Sequence, residues 1–201
     1  MIASSLNYKG GQGKSFWAAI LADFLGPAVE LLDLDQTQGD SHVWAQKAGR
    51  PSRLVPSRDV RGTLQEAART PTWAVVDCPP HEGEPTRLAL EFSALVLVPV
   101  IPGGAPDAQA WGRITQAIEE AHILNPGLKA AVVLNCDRRT QLSTSFVDML
   151  KAWHSPHEGR ALLGAVPLKV ALAEAIAAGK APKDKSISEV LLRLRRFAAS
   201  K

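Results

Sequence analysis

The segment Asn7-Tyr8-Lys9-Gly10-Gly11-Gln12-Gly13-Lys14-Ser15 carries the densest chemistry in the chain. Glycines let successive backbone N–H groups turn inward around phosphate oxygens, and Lys14 adds a full positive charge. The largely apolar stretch from Phe16 to Leu25 follows at once, so the loop opens a helix whose N-terminal partial charge favours the same anion. Ser15 is placed to hold Mg2+ through its hydroxyl. The usual spacing G-x-x-x-x-G-K-[ST] would put its first glycine where Tyr8 stands; the pattern present is K-G-G-x-G-K-[ST], with a second lysine at Lys9. Lys9, Gly10, Gly11, Gln12, Gly13, Lys14, Ser15 and Phe16 form the expected phosphate-binding set. The plain alternative is a glycine-rich turn with Lys9 in solvent.

Two acidic segments accompany the loop. In Leu32-Asp33-Leu34-Asp35-Gln36-Thr37-Gln38-Gly39-Asp40 a carboxylate can orient an attacking water, because phosphoryl transfer depends mainly on positioning and charge neutralisation. Asp35 is the first candidate and Asp40 the second; the alternative is that they end a strand and cap a helix near Trp44. Trp73-Ala74-Val75-Val76-Asp77-Cys78-Pro79-Pro80 places Asp77 at the end of an apolar run, where it can hold Mg2+, before a proline-stiffened loop. Cys78 has no His or base spaced to activate it and reads as a small neighbour.

These groups need elements to position them. Short apolar runs alternate with helical patterns, which predicts an α/β fold with a mostly parallel twisted sheet flanked by helices on both faces. Strands are expected over Ile2 to Leu6, Val29 to Leu34, Trp73 to Val76, Leu95 to Val100, Ala130 to Leu134 and Leu162 to Val166. Helices are expected over Ser15 to Leu25, Val60 to Arg69, Asp107 to His122, Leu142 to Trp153, Lys169 to Ala178 and Ser186 to Ala199. Ligands of such sheets bind beyond the carboxyl ends of the strands, where the loops above fall.

Composition sets the limits. The 201 residues are 46% hydrophobic and 21% charged, enough for one core, so a single domain over 1–201 is expected. Cys78 and Cys136 are the only cysteines and lack metal spacing, which excludes a disulfide scaffold or zinc site and favours a reducing cytoplasm. The polar start and Lys9 argue against a leader, and no apolar run is long enough to span a membrane. His42, His81, His122, His154 and His157 show no metal grouping. The net charge is only +3, but Lys180 to Lys201 carries seven Lys/Arg against Asp184 and Glu189, so a polyanion meets the tail first.

In its loop, its D-x-D segment and its strand ending at Asp77, the chain resembles the deviant Walker ATPases of the ParA/MinD superfamily. In length it is nearest the small ParF-like partition ATPases. The resemblance implies a P-loop NTPase fold over nearly the whole chain and ATP with Mg2+ as ligands. It also implies a homodimer with ATP sandwiched between two chains, in which Lys9 reaches the partner's nucleotide. Lys9, Lys14 and Asp35 are the catalytic candidates on that basis. Gln36 stands where the family has proline, and one extra residue falls near Thr37.

Val98-Pro99-Val100-Ile101-Pro102 followed by Asp107 resembles the stretch bordering the family's dimer face, with Gly103-Gly104 replacing small polar residues. Asn135 matches the asparagine that bonds adenine, since an amide can donate and accept along that edge, and Pro167 is expected against the base. A strand-end asparagine bonding its own loop is the alternative. Lys180, Lys183, Lys185, Arg193, Arg195 and Arg196 are the implied nonspecific DNA contacts, against a merely solvated helix face. The implied function is plasmid or chromosome partition, at the nucleoid, with a ParB/ParG-like centromere-binding adaptor that stimulates slow hydrolysis. Alternatives are a MinD-like membrane-associated positioning ATPase, a metabolic ligase similar to dethiobiotin synthetase, a metallocluster carrier, which here lacks paired cysteines, and a noncatalytic nucleotide-controlled scaffold.

Overall fold

The computed structural model describes residues 1–102, 105–135, 144–167 and 170–200. Among them, near-continuous apolar runs become the central strands of a seven-stranded sheet. The seven are β1 (Ile2–Ser5), β2 (Glu30–Asp33), β3 (Ser52–Leu54), β4 (Ala74–Asp77), β5 (Leu95–Val100), β6 (Lys129–Asn135) and β7 (Arg160–Val166). All neighbouring pairs of this sheet are parallel, in the order β3-β2-β4-β1-β5-β6-β7.

The connecting helices are α1 (Lys14–Leu25), α2 (Asp40–Lys47), α3 (Val60–Arg69), α4 (Glu84–Phe92), α5 (Ala105–Leu124), α6 (Thr144–Trp153), α7 (Val170–Ala177) and α8 (Lys185–Ala199). Alternating strand residues feed two separate cores, as the pleat requires. Val96, Val98, Ala130 and Val132 face Leu64, Leu88, Ile114 and Leu150 of α3 to α6. Leu95, Leu97, Ala131 and Val133 face Trp17, Leu21, Trp44, Val190 and Leu194 of α1, α2 and α8. The expected α/β architecture is therefore present.

Three elements stand outside the strand and helix ranges expected above, although a helix near Trp44 is one reading of the acids. β3 is a three-residue edge strand whose residues are half-buried or exposed, too short to carry a pattern. α2 follows the D-x-D segment and buries Ser41, Trp44 and Ala45. α4 begins at Gly83-Glu84-Pro85, a sequence that reads as loop; proline is tolerated there because the first turn has no intrahelical acceptor for its missing N–H. The expected helix starts at Leu142 and Lys169 lie outside the described residues, as do Gly103, Gly104, Cys136 and Lys201.

Candidate functional site

Sheet order assembles the site. β1 and β4 are neighbours, and their following helices pack on opposite faces, which opens a crevice at the carboxyl edge. Parallel register sets Ser5 of β1 beside Asp77 of β4, and Asp77 beside Asp33 of β2. Residues 72 positions apart in sequence thus share one edge.

The loop from Asn7 to Lys14 crosses this edge in a conformation only glycine accepts comfortably. Gly11 has φ +72° and Gly13 φ +89°; a Cβ on Gly13 would also lie 2.6 Å from Asn135 Nδ2. Side chains hold the loop from four directions. Asn7 Nδ2 donates to the Pro99 carbonyl at 2.8 Å, and its Oδ1 accepts from the Lys9 N–H at 2.9 Å. Ser5 Oγ donates to the Lys14 carbonyl at 2.9 Å. Gln12 Oε1 accepts from the Ile101 N–H at 2.6 Å, while the Gln12 carbonyl accepts from Asn135 Nδ2 at 2.6 Å. Gln12 is buried, so it supports the loop from within.

Lys14 is buried, and its Nζ donates to the Lys9 carbonyl at 3.2 Å. Burial pulls its pKa down, and Asp77, Cys78 and Asp35 push it back up, so its ammonium sits among the acids the sequence singled out. Lys9, Gly10 and Gly11 lie at the surface, and Ser15 and Phe16 are half-buried at the start of α1.

The three acids do different work. Asp33 is buried and accepts from Ser41 Oγ at 2.8 Å, the His42 N–H at 3.0 Å and the Asp35 N–H at 3.0 Å, so it ties β2 to the first turn of α2. Burial raises its pKa, partly countered by those bonds. Asp35 uses one oxygen to accept from Thr37 N–H at 3.1 Å and Thr37 Oγ1 at 2.5 Å, which fixes its carboxylate at the turn. Asp40 is the exposed first residue of α2.

Asp77 is buried with neither carboxylate oxygen hydrogen-bonded. Burial and the nearby Asp33 push its pKa up to about 7, against Ser15, Ser41 and Lys14, which lie close enough to oppose part of that rise. An orphaned buried carboxylate is costly and suits a hard cation that takes oxygen ligands. The donors present, Asp77 with the Ser15 hydroxyl, therefore fit Mg2+. Beside it, burial and Asp77 raise the Cys78 thiol, which keeps it unreactive.

Asn135 ends β6 and is buried against the loop. Its Oδ1 accepts from Trp17 Nε1 at 2.8 Å, its Nδ2 serves the Gln12 carbonyl, and the residue is 2% exposed. Both ends of the amide are committed to locking β6 against the loop and α1. Pro167, just beyond β7, is half-buried. In the tail, Lys180, Lys183, Lys185, Arg195 and Arg196 are exposed. Arg193 is exposed as well, and its Nη1 donates to the Leu163 carbonyl at 2.8 Å, fastening α8 to β7.

Sequence reasoning missed Ser5, Asn7 and Trp17 as supports of the loop, and the side-chain role of Gln12. The only available signal was their position: Ser5 and Asn7 flank the first strand end, but their partners are 92 residues away or set by backbone geometry.

No protein-family profile matches the chain, and no curated protein matches it in sequence. Solved structures do match its fold. A plasmid partition protein of Borrelia burgdorferi B31 bound to AMPPNP superposes with TM-score 0.73 at 16% identity, covering 97% of this chain and 98% of that one. The MinC:MinD cell division protein complex of Aquifex aeolicus matches with TM-score 0.69 at 16% identity, over 97% and 95%. Cobyrinic acid a,c-diamide synthase of Mycobacterium smegmatis, with bound ADP and magnesium, matches with TM-score 0.65 at 19% identity, over 100% and 96%. The chain has the fold of the ParA/MinD-type ATPases, a fold that also serves a synthase.

Proposed function

We propose that this chain is a Mg2+-dependent, ParA-like ATPase that forms a homodimer around ATP and binds nonspecific DNA in that state. On this reading one deviant Walker domain over 1–201 drives plasmid or chromosome partition with a ParB/ParG-like DNA-binding adaptor. One observation carries the proposal: the glycine loop brings a buried Lys14 within the electrostatic reach of Asp35 and of an orphaned, buried Asp77 at the carboxyl edge of the sheet.

The loop amides and the Lys14 ammonium bind the triphosphate and stabilise charge as it shifts toward the leaving phosphate. Ser15 and Asp77 hold Mg2+, which when bound neutralises phosphate oxygens. Asp35, fixed by Thr37, orients the attacking water. Lys9 is exposed at the mouth of the loop, where it can reach a nucleotide in a second subunit. ATP thereby controls association, and pairing two basic tails raises DNA avidity without any contact between ATP and DNA.

The test is DNA retardation with ATP, ADP or no nucleotide at two salt concentrations. Retardation should require ATP and weaken with salt, and Lys14→Ala should remove it. Retardation independent of ATP sinks the proposal. Sedimentation of the ATP-loaded chain with anionic vesicles instead of DNA identifies the MinD-like alternative. Hydrolysis that depends on a small acid substrate identifies a ligase. Among the described residues no helix is long and apolar enough to cross a membrane.

A further inference from the structure

α1 and α8 cover the same face of the sheet, and both run from its carboxyl edge toward its amino edge, where Lys129 at the start of β6 donates to the Phe197 and Ala198 carbonyls. The space between the two helices is not filled. A cavity of about 530 Å3 opens between Ile20 and Phe24 of α1 and Ile187 and Leu191 of α8. A second, of about 570 Å3, continues toward the amino edge between Leu21 and Phe24 of α1 and Leu194 and Ala199 of α8, with Leu95 of β5 at its floor. Phe24 lines both, so they form one groove. Its α8 wall runs from Ile187 to Ala199, a rise of about 18 Å, or slightly more than three helical turns.

Two further observations bear on what the groove receives. Phe24, a large aromatic at the junction of the two cavities, is 36% exposed, so an apolar ring stands in water among apolar neighbours. The rim is basic: Lys183 and Lys185 stand at one end and Arg195 at the other, all exposed. The two rim carboxylates are engaged elsewhere. Asp23 is paired with Arg50, and Asp184 caps α8 by accepting from the Ser186 N–H at 2.8 Å. The groove therefore has an apolar floor with positive charge at both ends.

That combination selects the occupant. A nucleic acid answers the cations but leaves the apolar floor uncovered. A membrane takes up apolar side chains that protrude, whereas these are recessed between two helices. An amphipathic helix meets both demands, because residues at i, i+3, i+4 and i+7 form an apolar stripe that fills such a groove while acidic residues beside the stripe reach the rim. Opposite charges at both ends also fix its register.

We propose that the groove between α1 and α8 docks an acidic amphipathic helix of a partner protein, with Phe24 as the central apolar contact and Lys183, Lys185 and Arg195 receiving its carboxylates. The inference goes beyond the ATPase reading. Its test is run on the full chain without nucleotide or DNA, so either can fail alone.

Fluorescence anisotropy with a labelled, capped helical peptide of about four turns, carrying leucines at i, i+3, i+4 and i+7 and glutamates beside them, provides the measurement. Saturable binding is expected, with none for the counterpart carrying lysines in place of the glutamates. Phe24→Ala should weaken it roughly tenfold, and Ala199→Trp, which fills the groove from an exposed position, should abolish it with the thermal melt unchanged. The Lys183→Glu/Lys185→Glu/Arg195→Glu variant should exchange the preference and bind the lysine peptide instead. Absence of saturation, equal binding of the two peptides, an unchanged preference in the charge-reversed variant, or undiminished binding by both Phe24→Ala and Ala199→Trp overturns the proposal. Sedimentation of the nucleotide-free chain with phosphatidylglycerol vesicles, lost in Ala199→Trp and without peptide binding, overturns it in favour of a membrane surface. A wild-type dimer that Ala199→Trp splits overturns it in favour of a second copy of the chain.

Discussion

At the residue scale, the acids at the carboxyl edge look alike in sequence and are separated by their hydrogen bonds. Asp33 has three donors, Asp35 has Thr37, and Asp77 has none. The last contrast gives a pH signature for the nucleotide-free protein. The folded state holds the Asp77 proton up to pH about 7, above its ordinary 3.8, so its stabilisation is complete below pH about 4 and is lost as pH rises through 7. Asp77→Asn removes the titration. Urea unfolding from pH 5 to 8 should show the variant gaining on wild type by a few kcal/mol as pH rises. A difference that stays constant with pH would refute the assignment. At pH 8, Mg2+ with ATP should then raise the wild-type midpoint and leave that of Asp77→Asn nearly unmoved. That Asp33, Asp35 and Asp77 all fall at strand ends is legible from the apolar runs that precede them. That Asp33 caps α2 is not, because its Ser41 partner has no recognisable motif.

At the element scale, the phosphate loop is shaped by neighbours more than by its own sequence. Asn135, at the end of β6, locks the loop through the Gln12 carbonyl and α1 through Trp17. Asn135→Ala leaves a buried carbonyl and a buried indole N–H unpaired, a loss of about 2–4 kcal/mol. Urea titration should register that loss and isothermal titration a weaker ATP affinity; retention of both would show that the latch is idle. The tail separates in the same way. Arg193, Arg195 and Arg196 are all exposed, but Arg193 also fastens α8 to β7. Arg193→Ala should lower the melting temperature, while the Arg195→Ala/Arg196→Ala pair should leave it within about 2 °C and reduce the salt slope of DNA retardation by about two. The opposite pattern would reassign the helix. Periodicity placed α8 and its apolar face correctly, with Ile187, Val190, Leu191, Leu194 and Phe197 all buried. It could not separate three arginines whose difference is one carbonyl contributed by β7.

At the scale of the whole molecule, the order β3-β2-β4-β1-β5-β6-β7 puts the first and fourth strands side by side and sends their helices to opposite faces. The resulting crevice leaves Lys9 at the surface, where the proposed dimer needs it. Lys9→Ala should therefore keep ATP binding to single chains while losing most hydrolysis at concentrations where wild type pairs. Light scattering and turnover measured together check this, and equal turnover in both would refute the action across subunits. The sequence by itself determined the glycine-rich loop between the first strand and helix, the acid-bearing strand ends and the parallel α/β class, because each is written in residues close together in the chain and in periodicities of apolar side chains. Only the tertiary structure decided which acid is orphaned, which amide locks the loop, which arginine is tied to the sheet and where α1 and α8 leave a groove. Those outcomes depend on strand neighbours and on partners tens of residues away, which no local pattern encodes.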